Sequence, residues 1–541
     1  MKGPELVNAS KAELDELLVL AKASFPAQQY ALLEDVFGTF VHVMLALQNA
    51  KTSLKRFRQM LFGARTESKH NLLGEQAAEA TAATNTGDEN VTAAKPKPPA
   101  VGHGRNGAQA YANSPVVEVN LPDLHSGDQC PTCSTGKIYD SAPRTIVRVV
   151  GQPPLAATVY KLQRVRCRLC DATFIAPMPE AAALPKYDHS SASMLALLRY
   201  GNGMPFYRLE GLQQSLNVPL PDSTQWDIVQ KAAPGPRAAF NELIRQAAQA
   251  PLLHNDDTPA KILALMHERT KLERAGETPE AKAINTTGIV AVLKEHKIIL
   301  FFTGHQHAGQ NLAKVLAQRA LDLAPPMQMA DALACNFTNE FKTDICKCLT
   351  HGRRKLVELM EIFPEECRTV IETLADVYAN DQFCRDKKLS DDERLLYHQA
   401  HSSALMNGLE SWMKGQFDQH LVEPNSELGK AMRYLLNHWR EMTLFLRKVG
   451  APLDNTICER ALKRAILHRK NSMFYKTCKG AEIGDIYMSL IYTCQICRVN
   501  PFEYLQALQA HVKKVEATAA LWMPWNYREQ LALAADAAPQ A

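Results

Sequence analysis

Four cysteines in two CxxC pairs, Cys130 with Cys133 and Cys167 with Cys170, carry a strong metal-binding signal. Two such knuckles on hairpins present four thiolates tetrahedrally, as a structural Zn²⁺ requires, and leave no open position for catalysis. The 33 residues between the pairs include strand-like TIVRVV and ATVYKLQRVRC; Arg164, Arg166 and Arg168 set DNA contact beside the plainer role of a folding staple. A second signal is Leu453–Lys479, where Asp454 and Asn455 stand ready to cap a helix. Glu459 then introduces a run from Arg460 to Lys479 with seven Lys/Arg and no Asp/Glu. Alone, Glu459 reads as an i,i+4 partner of Lys463 on a solvated helix. The sharper reading is a metal-binding carboxylate beside a phosphate-binding surface. A third signal is acid in apolar strands: Asp256 and Asp257 inside LLHNDDTPAKILAL, and Asp331 after MQMA. Such an acid is costly to bury unless paired or metal-bound.

These residues need elements to hold them. The chain has 541 residues, 46% hydrophobic and 22% charged, enough for several domains with buried cores. A net charge of +4 means that any nucleic-acid surface comes from local clustering. No apolar run approaches the roughly 20 residues of a membrane span, and MKGPELVNASKAELDELL lacks a signal-peptide core, which implies a cytoplasmic protein. Thirteen cysteines without a secretion signal favour thiols or metal over disulfides.

Residues 1–74 read as helical, broken at Pro26, with Leu33, Phe37, Phe40, Met44, Leu47, Lys51, Leu54, Arg58 and Leu61 at heptad spacing. An oligomerising coiled coil and an amphipathic helix packed on its own domain fit equally. LKRFRQMLFGARTESKH is basic with interleaved Phe, open to DNA or solvent. Residues 75–117, including KPKPP, read as a flexible linker and 118–180 as the zinc-binding domain. Residues 181–249 form a helical linker, compatible with a helix-turn-helix, in which Asp222 or Ser223 caps the second helix.

From 250 the period changes to strand–strand–strand–helix–strand, a mixed α/β core over 250–351 with His267–Lys282 as an exposed loop. In CKCLTHGRRKLVELM, Cys346, Cys348 and His351 lack an evident fourth ligand and read as packed groups, with Arg353 and Arg354 facing phosphate. A helical insertion spans 352–447, the core resumes over 448–512, and 513–541 is a tail; Cys494 and Cys497 read as buried thiols. The fold class is therefore multidomain α+β.

Together these segments resemble the insertion sequence 66 family of DDE-class transposases. LKRFRQMLFGARTES is similar to that family's FG-R-x-S/T-E segment, and the CxxC pairs to its zinc finger. PFYRLEGLQ, HNDDTP, CLTHGRRK and DNTICERALKRAILHRKN follow in the family's order. The resemblance implies an RNase H-like fold with Asp256, Asp331 and Glu459 as its acidic triad, holding Mg²⁺ or Mn²⁺. Family members often carry Glu at Asp257, and Asp-Gly-Tyr where Asp331, Ala332 and Leu333 stand; neither departure removes a carboxylate.

The chemistry suits such a trio. Two Mg²⁺ ions about 3.5–4 Å apart activate an attacking oxygen and stabilise the leaving one, and hard cations take carboxylate oxygens. Arg460, Lys463, Arg464, Arg469 and Lys470 would hold phosphates. The implied activity is cleavage at element ends and strand transfer into target DNA. The implied partners are terminal inverted repeats, target DNA, a second copy of the chain and accessory proteins of the same element. Competing readings are an inactive DNA-binding regulator, a nuclease that cuts without joining, and a zinc-stapled scaffold without DNA.

Overall fold

The strands of the core form where the sequence is most continuously apolar. The computed structural model describes residues 173–277 and 283–536 throughout, residues 152–169, and parts of 11–37 and 116–148. The heptad seam beyond Phe37, the basic segment to His70, nearly all of the linker and Cys170 lie outside the described residues. The chain divides into two units, residues 79–156 and the remainder (1–78 with 157–541).

In the smaller unit, Cys130 N–H donates to Gly136 O at 2.8 Å and Ser134 N–H to Cys130 O at 2.8 Å, a tight turn closed by a Gln129–Lys137 bridge. In the larger unit, β1 (Arg164–Arg166) pairs antiparallel with β2 (Thr173–Ile175), and Cys167 follows β1 directly.

The larger unit holds a five-stranded sheet: β3 (Leu252–Pro259), β4 (Asn285–Val292), β5 (Lys297–Gly304), β6 (Met327–Ala330) and β7 (Asp344–Lys347), in the order β5-β4-β3-β6-β7. β3, β4 and β5 are antiparallel, whereas β6 runs parallel to β3 and β7 parallel to β6. Connection length sets these directions. The short link from Val292 to Lys297 closes a hairpin; β5 reaches β6 through the helix Ala308–Leu316, as a parallel crossover requires. NTTGIVAV is buried almost end to end, as befits a strand covered on both faces.

The open edge at β5 is closed by side chains. Asp485, Ser489 and Thr493 recur every fourth residue on the helix Cys478–Ile496 and accept from the backbone N–H groups of Thr303 (2.7 Å), Phe301 (2.9 Å) and Ile299 (3.0 Å). An edge strand that offers bare donors invites another chain; this ladder occupies them. Asp485 also accepts from Thr303 Oγ1 at 2.6 Å, yet burial pushes its carboxyl up to about 7. The folded-state pKa thus lies above the ordinary 3.8. Its stabilising contribution is complete below the unfolded pKa and fades as pH rises through about 7. Asp485→Asn, which keeps an acceptor for Thr303 N–H, should therefore flatten the fall of melting temperature that wild type shows between about pH 4 and 7. Parallel melting profiles for the two proteins would contradict this.

Between β7 and the helix Thr456–Ser472, helices from Leu349–Val357 through Trp439–Met442 build a second apolar core around Leu356, Val370, Leu374, Met406, Met432 and Leu435. Several local expectations change. The first half of the stretch expected as a loop, His267–Lys282, belongs to the helix Leu263–Arg274, which buries none of its residues and so leaves no amphipathic signature; residues 278–282 lie outside the described residues. β7 was not foreseen, being four residues that include Asp344 and Lys347. Asp222 and Ser223 lie inside the helix Asp222–Lys231, whose N-cap, Pro221, offers no side-chain acceptor.

Candidate active site

Alternation along β3 sends Asp256 and Asp257 to opposite faces of the sheet. Asp257 is committed to structure. Its carboxylate accepts from Thr287 Oγ1 at 2.6 Å and from Ala308 N–H at 2.9 Å, where the helix Ala308–Leu316 begins, with His307 Nδ1 at 3.3 Å. Asp256 pairs in register with Gly288 of β4. A Cβ on Gly288 would come within 2.9 Å of Leu462, and Cys458 Sγ donates to Gly288 O at 3.3 Å. The missing side chain lets the Glu459 helix, Thr456–Ser472, lie close against the Asp256 face.

Asp331 directly follows β6, which pairs with β3 as Leu252–Met327, Leu253–Gln328 and His254–Met329. The same offset carried two residues further sets Asp331 beside Asp256. Asn336 holds it there: its Nδ2 donates to Asp331 Oδ1, while its carbonyl accepts from Asn255 Nδ2 at 2.7 Å and Gln328 Nε2 at 2.8 Å.

The Glu459 helix is fixed by Asn455, which is fully buried. Asn455 Nδ2 donates to Asn255 O at 3.0 Å, its Oδ1 accepts from His254 Nδ1 at 3.0 Å, and its backbone N–H donates to Cys348 Sγ at 3.3 Å. Burial lowers His254 to about 4, so its ring is neutral near pH 7 and Nδ1–H serves as the donor. Asn455 therefore does not cap the helix with its side chain, as local rules suggested; it clamps the helix to β3. Asp454 supplies the local bond instead, accepting from Thr456 N–H at 3.0 Å.

Burial, with the charges of Asp331, Glu459 and Asp257, pushes the Asp256 carboxyl up to about 7. The three acids thus share one electrostatic neighbourhood. Among the described residues, they do not close into a single coordination shell; Cys348, His351 and Glu459 do, with ligand atoms within 4.8 Å of one another. His351 Nδ1 and Glu459 Oε1 stand 3.8 Å apart, both shut off from solvent and neither with a hydrogen-bond partner. Sequence reasoning treated His351 as a packed group. Its CxxH spacing on the helix Leu349–Val357 was the signal available.

The cation candidates divide. Arg460, Lys463, Arg464 and Lys470 are exposed on the Glu459 helix, with the Arg464 guanidinium 5.5 Å from the Tyr492 ring centre. Arg469 is half-buried and donates to Pro259 O at the end of β3, bracing the helix to the strand. Arg353 and Arg354 are half-buried. Of the cysteines, Cys133 is exposed, and backbone N–H groups of Gly136 and then Thr135 hold its thiol below the ordinary 9.0. Leu169 N–H donates to Cys167 Sγ at 3.4 Å.

Comparison with known proteins identifies a family. The profile of the transposase IS66 family matches residues 186–483, more than half of the chain, and runs from before the sheet to beyond the Glu459 helix. Two proteins of Sinorhizobium fredii (strain NBRC 101917 / NGR234) are similar. "Uncharacterized protein y4hP" is 22% identical over 423 residues, 73% of each chain. "Uncharacterized protein y4jD" is 28% identical over 185 residues, 34% of this chain, and the match spans about a third (35%) of that relative's length. Among the described residues, no helix is long and apolar enough to cross a membrane. With the matched span enclosing Asp256, Asp331 and Glu459 alike, the chain belongs to the transposase IS66 family.

Proposed function

We propose that this protein is a DDE-type DNA transposase whose catalytic acids are Asp256, Asp331 and Glu459, on an RNase H-like core. The observation that carries the reading is that acids 75 and 128 residues apart in sequence come into one electrostatic neighbourhood, two from neighbouring strand positions and one from a clamped helix. The strand order, with three antiparallel strands followed by two parallel ones, supports the fold assignment. A carboxyl lifted to about 7 by burial and neighbouring carboxylates fits a site that takes positive charge. Asp256, Asp331 and Glu459 would hold Mg²⁺ or Mn²⁺, which when bound supplies Lewis-acid stabilisation of the attacking and leaving oxygens.

The chain's own residues orient the DNA. Arg460, Lys463, Arg464 and Lys470 offer phosphates a basic face that begins beside Glu459. In cleavage, a water oxygen attacks phosphorus at the element's end, the P–O3′ bond breaks, and the 3′ oxygen leaves protonated. In joining, that 3′-hydroxyl attacks a target phosphorus and a target 3′ oxygen departs. Cys130, Cys133, Cys167 and Cys170 would hold a structural Zn²⁺. The N–H groups directed at Cys133 and Cys167 suit thiolate ligands. A homo-oligomer and accessory proteins belong to the same reading.

The test is Mg²⁺-dependent cutting and joining of duplexes that carry the element's ends. For the basic face, Lys463→Gln should weaken duplex binding about equally across sequences and lower the salt slope by roughly one. An unchanged slope would remove Lys463 from the phosphate contacts.

A further inference from the structure

The Glu459 helix ends at Met473, whose φ of 64° is left-handed and unusual for a residue with a side chain. That turn delivers Phe474 to the mouth of a cavity of about 480 Å³, within the roughly 300–1,000 Å³ of small-molecule sites. Tyr207, Trp226, Phe474 and Tyr475 line it, with Asn471 beside them. Lys476 and Asp222 are its exposed charged residues.

Inside the cavity lies Arg199, only 8% exposed. Its guanidinium stands 5.1 Å from the Phe206 ring centre and 5.6 Å from that of Tyr200. One amino group donates to Ser472, while the buried Nε has no hydrogen-bond partner. A buried guanidinium N–H left unpaired is expensive, and it calls for an acceptor from a ligand. Flat aromatic walls around a buried, unpaired donor suit a planar heterocycle that carries ring or carbonyl acceptors.

Position identifies the source. Asn471 follows Glu459 by twelve residues, a rise of about 18 Å along the helix. The exposed cations Lys463 and Lys470 punctuate that path. A DNA strand laid on it from the acids covers the distance in about five nucleotides at 3.4 Å each.

We propose that this cavity receives one base of the bound DNA, swung out of its stack about five nucleotides from the scissile phosphate, with an acceptor on Arg199 Nε–H. The inference rests on the transposase reading and adds a subsite to it. The pocket's role is to hold the strand in register with the acids, since it engages only where the path length fits.

Extruding a paired base costs a few kcal/mol, and least at a mismatch. Wild-type protein is titrated with end duplexes that carry a single mismatch moved through ten successive positions from the cleaved phosphate. Binding should tighten about tenfold at one position near the fifth and change little elsewhere. Tyr207→Ala combined with Phe474→Ala removes side chains that are 59% and 39% exposed, so the fold is retained; this variant should lose the peak. Lys470→Gln should weaken all duplexes and keep it. A flat wild-type profile, or a peak that persists in the double variant, overturns the pocket alone. No binding to any duplex overturns the DNA reading beneath it.

Discussion

Glu459→Gln is expected to abolish strand cleavage, by on the order of 10³-fold or more, which is at least about 4 kcal/mol of transition-state stabilisation. The substitution changes charge without changing shape. Glutamine fills the same space opposite His351, whose Nδ1 lies 3.8 Å from Glu459 Oε1, so packing of the helix is preserved. Its amide keeps one neutral oxygen and offers no anionic one to a hard cation. DNA affinity should stay within about threefold of wild type or rise slightly, because a negative charge next to the basic face is removed. The measurement is cleavage rate and duplex Kd on the same preparations. Equal cleavage by variant and wild type would remove Glu459 from the site. Loss of binding in step with cleavage would give it a structural role instead.

Asn455→Ala should produce the largest loss of stability of any single change near the site. The side chain is fully buried and ties the helix start to β3, some 200 residues away in sequence, through His254 and the carbonyl of Asn255. Truncation leaves a buried N–H and a buried C=O unpaired, at about 1–3 kcal/mol each. The total, about 2–6 kcal/mol, corresponds to a fall in melting temperature on the order of 10 °C. Cleavage should fall further than DNA binding, because the acid on the released helix loses its place while the exposed cations keep their charge. Asn455→Asp should be no better: it removes the donor to Asn255 O and buries a charge. A variant with wild-type melting temperature and cleavage would show that Asn455 is an ordinary helix-start residue.

Those two residues also mark how far a local reading of sequence reaches. A lone acid before seven cations drew attention to Glu459, yet that pattern alone reads as a pair with Lys463 on a solvated helix, and the catalytic role came only with the family resemblance. Strands β3 to β6 were legible because buried strands are apolar runs with turn residues between them. Asn455 was misread as a cap because capping rules see a few residues, whereas its partners lie near position 255. Asp485, Ser489 and Thr493 sit in an otherwise apolar helix and gave no sign of their partners on β5. The split between Asp256 and Asp257 follows from strand alternation, but which of them faces the Glu459 helix depends on the register with Gly288. His351 is similar: its spacing from Cys348 was visible, and its approach to Glu459 arises only when β7 and the Glu459 helix are brought together. The Arg199 cavity is assembled from segments more than 240 residues apart, so no window of sequence contains it.

Cutting and rejoining of DNA by Asp256, Asp331 and Glu459 at one site has a direct biochemical signature. Its most direct test mixes purified protein, duplexes carrying the element's ends, a target plasmid and Mg²⁺, together with any companion proteins of the element, and sequences the junctions formed. The expected products are end strands joined through their 3′ oxygens to target DNA, present with Mg²⁺ and absent with chelator or with Glu459→Gln. Cut ends that are never joined, or junctions formed equally well by the Glu459→Gln protein, would contradict it.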